Sequence, residues 1–213
     1  MKAVLLAAGK GQRLSPISDK TSKLMIIIHG KPFLEYIIND LIDVGISEIC
    51  IVVGYLGNQI RDYFGNGHNF GVKIEFVIQE KPLGTADALR CAEKFVGNNP
   101  FLLYLPDTII SDGLVTYFDK MIRTNSEIHL LASNVLKKNT SDVGTMEINK
   151  NKVTKINEKS YNASSNLAWA GIAFFKSNFI FKLINTLSLS TRGEYEITEA
   201  MNKMFDNNKE IEF

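Results

Sequence analysis

The stretch Lys2 to Lys23, KAVLLAAGKGQRLSPISDKTSK, decides how the rest of the chain is read. Ala3 to Leu6 is a short apolar run, the pattern of a buried strand. It passes directly into Ala7-Ala8-Gly9-Lys10-Gly11-Gln12-Arg13-Leu14. Two glycines and two alanines let backbone N–H groups approach a ligand with no side chain in the way. Consecutive amides in such a loop form a concave nest for phosphate oxygens. Arg13 follows at once and Lys23 lies ten positions later, so an anion-binding backbone has two cations beside it. That combination suits a polyphosphate.

Three motifs compete for the loop. A dinucleotide fingerprint requires G-x-G-x-x-G, and Leu14 stands where the third glycine belongs. A Walker loop requires G-K-[ST] at its end, which is absent. The third pattern is G-x-G-x-R-L, then a lysine ten residues after the arginine, then Gly-Lys-Pro. Gly9, Gly11, Arg13, Leu14, Lys23 and Gly30-Lys31-Pro32 fill it. On these residues the chain resembles the nucleoside-triphosphate-dependent sugar-1-phosphate nucleotidyltransferases, glucose-1-phosphate thymidylyltransferase among them, over nearly its whole length. The resemblance implies a nucleoside triphosphate and a sugar 1-phosphate as partners, Mg²⁺ as cofactor, and Ala8, Gly9, Gly11 and Arg13 around the nucleotide.

Composition sets the outer limits. The chain has 213 residues and is 45% hydrophobic, enough for one domain with a sizeable core. Lys+Arg 24 against Asp+Glu 23 leaves a formal net charge of +1, which argues against nucleic-acid binding by bulk electrostatics. Cys50 and Cys91 stand in unrelated contexts and read as buried thiols of a reduced, cytoplasmic protein. No apolar run nears the ~20 residues of a membrane span, and the N-terminus opens on a strand rather than a signal peptide. One chain does not set its oligomeric state, so a homo-oligomer stays open.

Along the chain, Leu24 to Ile28 reads as a short extended piece. Leu34, Ile37, Ile38, Leu41 and Ile42 fall at helical spacing, with Pro32 suited to the first turn and Gly45 to the end. Glu48 to Val53 is a strand, Asn58 to Phe64 a short helix, Val72 to Ile78 a third strand. This alternation is the grammar of a parallel sheet wrapped by helices. The expected fold class is α/β: a Rossmann-like open, mixed, mostly parallel sheet with helices on both faces and a small inserted β region for the sugar. Ligands of such sheets bind beyond the carboxyl ends of the strands.

Gln79 closes the third strand there, and its amide offers a donor and an acceptor, matching a pyrimidine edge. Thr85 is a fair N-cap for a helix to about Phe95. By resemblance, Gln79, Gly84 and Thr85 contact the base. Phe101 to Leu105 is the fourth strand, with Asp107 just past it. An acid facing a polyphosphate loop is a natural Mg²⁺ ligand. In the family this aspartate usually follows glycine; here Pro106 precedes it and cannot donate an N–H. Gly113 to Arg123 reads as a helix and Ile128 to Ser133 as a strand, with His129 packed inside it. His29 and His68 lack partners for a metal cluster.

From Lys137 the texture becomes polar. Val143 to Ile148, Val153 to Ile156 and Leu167 to Phe175 read as strands of an inserted, more open sheet. The resemblance assigns this region to the sugar phosphate. It implies Gly144 for close backbone approach, Glu158 for sugar hydroxyls and Lys159 for the sugar's phosphate. Trp169 stands near a position where the family often has asparagine, and offers one N–H donor and an apolar face. Asn162 to Asn166 reads as a flexible loop. Ser177 to Asn185 looks helical, and Gly193-Glu194-Tyr195-Glu196-Ile197-Thr198-Glu199 resembles a family segment leading a helix to about Asp206. Lys209 to Phe213 reads as the beginning of a strand. The family continues through it to a second acidic metal ligand.

The expected division is a single catalytic domain over 1–213, its C-terminus incomplete, with the nucleotide on about 1–135 and the sugar on about 136–213. The expected reaction is in-line displacement at the α-phosphorus. In it Arg13 and Mg²⁺ neutralise the outer phosphates, Lys23 bridges the reacting ones and Asp107 holds the metal. Two rivals stay open. One is a regulatory subunit that binds nucleotide or sugar phosphate without turnover. The other is a dinucleotide oxidoreductase, opposed by the missing glycine.

Overall fold

The computed structural model describes residues 1–161 and 164–213. Asn162 and Ala163, in the expected flexible loop, lie outside the described residues. In chain order the elements are β1 (Lys2–Ala7), β2 (Ile27–Ile28), β3 (Lys31–Pro32), α1 (Phe33–Asp43), β4 (Glu48–Val53), α2 (Gly57–Phe64), β5 (Lys73–Ile78), α3 (Thr85–Cys91), α4 (Glu93–Val96), β6 (Phe101–Tyr104), α5 (Val115–Ile122), β7 (Ile128–Asn134), β8 (Gly144–Asn149), β9 (Lys152–Glu158), β10 (Leu167–Phe175), α6 (Phe179–Ile184), α7 (Ile197–Asp206) and β11 (Ile211–Glu212).

Nine strands form one sheet in the order β5-β4-β1-β6-β10-β7-β11-β9-β8, and β2 pairs with β3 apart from it. β1 is parallel to both β4 and β6, and β4 to β5. β10 runs antiparallel to β6 and β7. Apart from Lys2 and Glu48 at their first positions, the strands β1, β4, β6 and β10 carry no charged residue, because both faces of the sheet are covered there. Successive side chains of a strand point to opposite faces. Accordingly Val4, Cys50, Val52, Phe101 and Leu103 pack into one core with α3, α4, α6 and α7. Ala3, Leu5, Ile49, Ile51, Leu102 and Tyr104 pack into the other with α1, α2 and α5. Phe101 and Phe175 stack with ring centroids 4.8 Å apart.

Several expectations are corrected. Leu24 does not lie in extended chain: Lys23–Met25 is a 3₁₀ turn closed by Met25 N–H to the Ser22 carbonyl at 2.8 Å. An apolar run of this length cannot say which conformation buries it. The helix expected to reach Phe95 breaks at Ala92 into α3 and α4. The expected inserted strands form no separate sheet. β10 fills the middle of the main sheet and β8 and β9 extend its edge. Cys50 is a free thiol inside β4, where burial pushes its pKa up to about 12, whereas the free thiol of Cys91 is only part-buried. No helix among the described residues is long and apolar enough to cross a membrane.

The order β5-β4-β1-β6 carries the chain outward from β1 on one side, then back to its other side. Loops leaving β1 and β6 therefore part in opposite directions and open a crevice at their carboxyl ends. Ala8–Lys23 leaves β1 and Asp107 follows β6.

Candidate active site

At the carboxyl end of β1 the backbone runs tightly against the loop after β4. A Cβ on Gly54 would lie 2.9 Å from the Ala8 carbonyl oxygen. Gly11 takes a left-handed conformation, φ 69 and ψ 41, and its carbonyl accepts from Leu14 N–H at 2.9 Å. Only glycine visits that region without strain. The missing Cβ serves a second purpose, since it would meet Cβ and Cδ of Lys23 at 3.1 Å. The stem of Lys23 runs through that space and brings Nζ to 3.5 Å from Oδ2 of Asp107. The lysine side chain is 22% exposed and the aspartate 55%.

Pro106 does not disturb the turn that carries Asp107. The turn's bond runs from Asp107 N–H to the Leu105 carbonyl at 2.8 Å and asks nothing of residue 106. Arg13 is exposed, and no described residue bonds or ion-pairs with it. Lys10 Nζ lies 5.2 Å from the centre of the Tyr55 ring. Sequence reasoning missed Gln59, which secures the approach to Lys23 from α2. Its Oε1 accepts from Ser22 N–H at 2.8 Å and its Nε2 donates to the Lys20 carbonyl at 2.9 Å. Nothing local to Gln59 signals a contact nearly forty residues away.

Gln79 lies one residue beyond β5, its N–H bonded to the Val53 carbonyl at 2.8 Å. The expected donor–acceptor edge is half consumed. Nε2 donates to the Gly84 carbonyl at 3.0 Å and to Oδ2 of Asp87 at 2.8 Å, leaving Oε1 alone as an acceptor. Thr85 is not the N-cap: Gly84 holds that position and no side chain caps α3. The Thr85 hydroxyl instead accepts from Ile197 N–H at 3.1 Å. Tyr195 N–H donates to the Leu83 carbonyl at 2.8 Å and Ala86 N–H to the Tyr195 carbonyl at 2.9 Å. Gly84, φ 106, is forced by this apposition, because a Cβ there would lie 2.6 Å from the Tyr195 carbonyl oxygen.

Beyond β9 a second polar group gathers. Gly144 and Glu158 are cross-strand partners in β8 and β9. Oε2 of Glu158 accepts from the Thr198 hydroxyl at 3.0 Å, and Oε1 lies 3.6 Å from Arg192 and 4.0 Å from Lys159 Nζ. Burial pushes the Glu158 carboxyl above its ordinary range. Glu196 pushes the same way, while the Thr198 hydroxyl, Lys159 and Arg192 pull it back. Arg192 also pairs with Glu194 at 3.2 Å and with Glu196. An open cleft of about 350 Å³ is lined here by Glu158, Ser190, Glu196, Thr198 and Glu199. Thr198, inside the quoted family segment, and Arg192, immediately before it, were given no role from the sequence. Trp169 is corrected: it is 8% exposed and its indole N–H donates to the Ile172 carbonyl at 2.8 Å, so no donor remains for a ligand. His129 is packed at 4% exposure, as expected.

A glycine turn with Gly11 in the left-handed region, a lysine–aspartate pair and a separate carboxylate cleft thus lie on one sheet. A sequence model described as nucleotidyl transferase matches residues 2–213. The chain belongs to this family. It is 35% identical over 214 residues to the low-salt glycan biosynthesis nucleotidyltransferase Agl11 of Haloferax volcanii, a match covering 100% of this chain and 59% of that protein. The chain thus spans about three-fifths of that relative's length. It is 31% identical over 213 residues to the UTP–glucose-1-phosphate uridylyltransferase AglF of the same organism, covering 100% of this chain and 86% of that one. Among solved structures, a Bacillus anthracis protein described as a glucose-1-phosphate thymidylyltransferase superposes with a TM-score of 0.87 at 30% identity, covering 97% of this chain and 83% of its own. Family membership agrees with the mixed α/β sheet and with helices on both faces.

Proposed function

We propose that the chain transfers a nucleotidyl group from a nucleoside triphosphate to a sugar 1-phosphate, giving an NDP-sugar and pyrophosphate. UTP or dTTP with glucose 1-phosphate are the favoured substrates. The observation that carries the reading is the 3.5 Å approach of Lys23 to Asp107 beside the glycine turn. These two residues are 84 positions apart and meet only because the sheet order opens a crevice between β1 and β6. The names of the AglF and Bacillus anthracis relatives support the choice of substrates.

The division of labour follows the two polar groups. Residues 1–135 hold the nucleotide and 136–213 the acceptor, within one catalytic domain. Backbone amides of Ala8 to Gly11 face the phosphates. Arg13, an exposed cation without a partner among the described residues, neutralises the outer phosphates. Lys23 bridges the α-phosphate and the incoming sugar phosphate, both anions, and so offsets their repulsion. An oxygen of the sugar phosphate bonds to the α-phosphorus as the bond to the bridging oxygen breaks, and that electron pair leaves with pyrophosphate. Glu158 accepts sugar hydroxyls, Lys159 meets the sugar's phosphate, and Gly144 leaves room for the backbone to approach the ring. Catalysis is positioning and charge stabilisation, with little acid–base work.

Mg²⁺ fits the donor chemistry of Asp107. Magnesium is held by one or two carboxylates with substrate phosphates completing its shell. The Asp107 carboxylate is a hard oxygen donor, more than half exposed, with Lys23 as its ion-pair partner. Bound there, the ion would supply positive charge to the phosphates. Free thiols at Cys50 and Cys91 suit a reducing cytoplasm.

The decisive experiment is a matrix of five triphosphates against several sugar phosphates, scored by pyrophosphate release. Turnover with UTP or dTTP and glucose 1-phosphate is the expected result. Nucleotide binding without turnover in any cell of the matrix would replace this reading with that of a regulatory subunit.

A further inference from the structure

The amide of Gln79 is oriented by a residue outside the turn that carries it. Asp87, in the first turn of α3, is 6% exposed. Its Oδ2 accepts from Gln79 Nε2 at 2.8 Å, and its Oδ1 accepts from Arg90, three residues on along the same helix. The Gly84 carbonyl takes the second Nε2 proton at 3.0 Å. A carboxylate and a carbonyl only accept, so an amide turned the other way would set its oxygen against two acceptors. No described residue bonds Gln79 Oε1, and it is the atom left to meet a ligand.

We propose that Asp87 is a positioning residue that fixes the edge Gln79 shows to the nucleobase and so selects uracil or thymine over cytosine. This rests on the reading that Gln79 meets the base. Uracil and thymine carry a proton on N3, a donor. Cytosine carries a lone pair there, an acceptor. A pinned carbonyl oxygen pairs with the first and opposes the second. A free glutamine would turn its amide over and serve both, so the selectivity comes from the pin rather than from the glutamine. Arg90 completes the device. It has donors only, so it occupies one carboxylate oxygen and leaves the other for Gln79.

The same fork says what an amide would do in place of the carboxylate. In Asp87→Asn, Arg90 keeps the carbonyl oxygen and the NH₂ is left facing Gln79. Gln79 then turns over, losing its bond to Gly84 and showing a donor to the base, or stays with two NH₂ groups opposed. Selection weakens either way.

The test compares UTP, dTTP and CTP in pyrophosphate release with glucose 1-phosphate. The ratio of kcat/KM for UTP over CTP should fall about tenfold in Asp87→Asn, the worth of about one net hydrogen bond. A merely structural role would lower all three nucleotides together. An unchanged ratio in a folded variant overturns the proposal. In Asp87→Asn/Arg90→Leu the asparagine is free to turn its oxygen to Gln79, and part of the ratio should return; no return overturns it as well. If the asparagine variant does not fold, Asp87→Ala decides, since it removes the pin without adding a donor, and a parental ratio there is equally fatal. Calorimetric titration of UTP and CTP reads the same ratio without turnover. A chain that binds UTP in preference to CTP but releases no pyrophosphate thus loses the proposed activity and not this inference.

Discussion

Replacing Lys23 by methionine separates what the Lys23–Asp107 pair does for the fold from what it does for the reaction. The two side chains are 22% and 55% exposed at a separation of 3.5 Å. A pair that open to water contributes about 0–1 kcal/mol to folding. Methionine keeps the apolar stem that runs past Gly11, so packing changes little. For a chain of this size a loss of about 1 kcal/mol lowers the melting temperature by about 2–4 °C. The rate should respond on another scale. Charge gathers on the phosphoryl oxygens as pyrophosphate departs, and a cation fixed beside them in a partly buried crevice needs no reorganisation to meet it. A preorganised donor of that kind is worth about 3–4 kcal/mol in the barrier, which is about a hundred- to a thousandfold in kcat. The assay is steady-state pyrophosphate release, with urea unfolding followed by circular dichroism on the same preparation. A kcat lowered by less than about tenfold with stability intact would refute the reasoning, because the ion pair would then be a surface contact. So would a large stability loss that alone accounts for the fall in rate.

Gly84→Ala should cost about 2 kcal/mol or more in urea unfolding, since its φ of 106 is nearly glycine-only and the new Cβ would lie 2.6 Å from a backbone oxygen. Parental stability would mean that the Leu83–Ala86 and Tyr195 segments are not held together. Trp169→Phe should cost about 1–2 kcal/mol through the Ile172 hydrogen bond and a small void, with KM for the sugar phosphate unchanged. A markedly higher KM would return the indole to the ligand site. Glu158 has a folded pKa above its ordinary 4.5, so the folded state holds this proton more tightly than the unfolded chain. Its contribution to stability therefore falls as pH rises from about 4.5 through the folded value, and Glu158→Gln should remove that decline from melting curves taken across the window. A slope unaltered by the substitution would contradict the burial assigned to this carboxyl.

Much of the fold was written in local pattern. Unbroken apolar runs at residues 49–53 and Phe101–Tyr104 reported strands covered on both faces. The spacing of Leu34, Ile37, Ile38 and Leu41 reported α1 with the face it buries. The glycine turn was equally legible, because its requirement is a backbone without Cβ, and glycine states that directly. From these followed the crevice and the three charged residues proposed to act in it.

What hydrogen bonds each polar side chain makes could not be read this way. Thr85 looked like a helix cap and is bonded to Ile197, 112 positions away. Trp169 looked like a ligand donor and is satisfied by Ile172. Gln79 looked two-sided and is held one-sided by Asp87 and Gly84. The sequence determined strands, helices and the glycine turn because burial and periodicity are properties of neighbouring residues. Only the tertiary structure decided the central place of β10, the meeting of Lys23 with Asp107 and the direction of each amide, since a donor's partner is chosen by whichever distant segment the fold delivers to it.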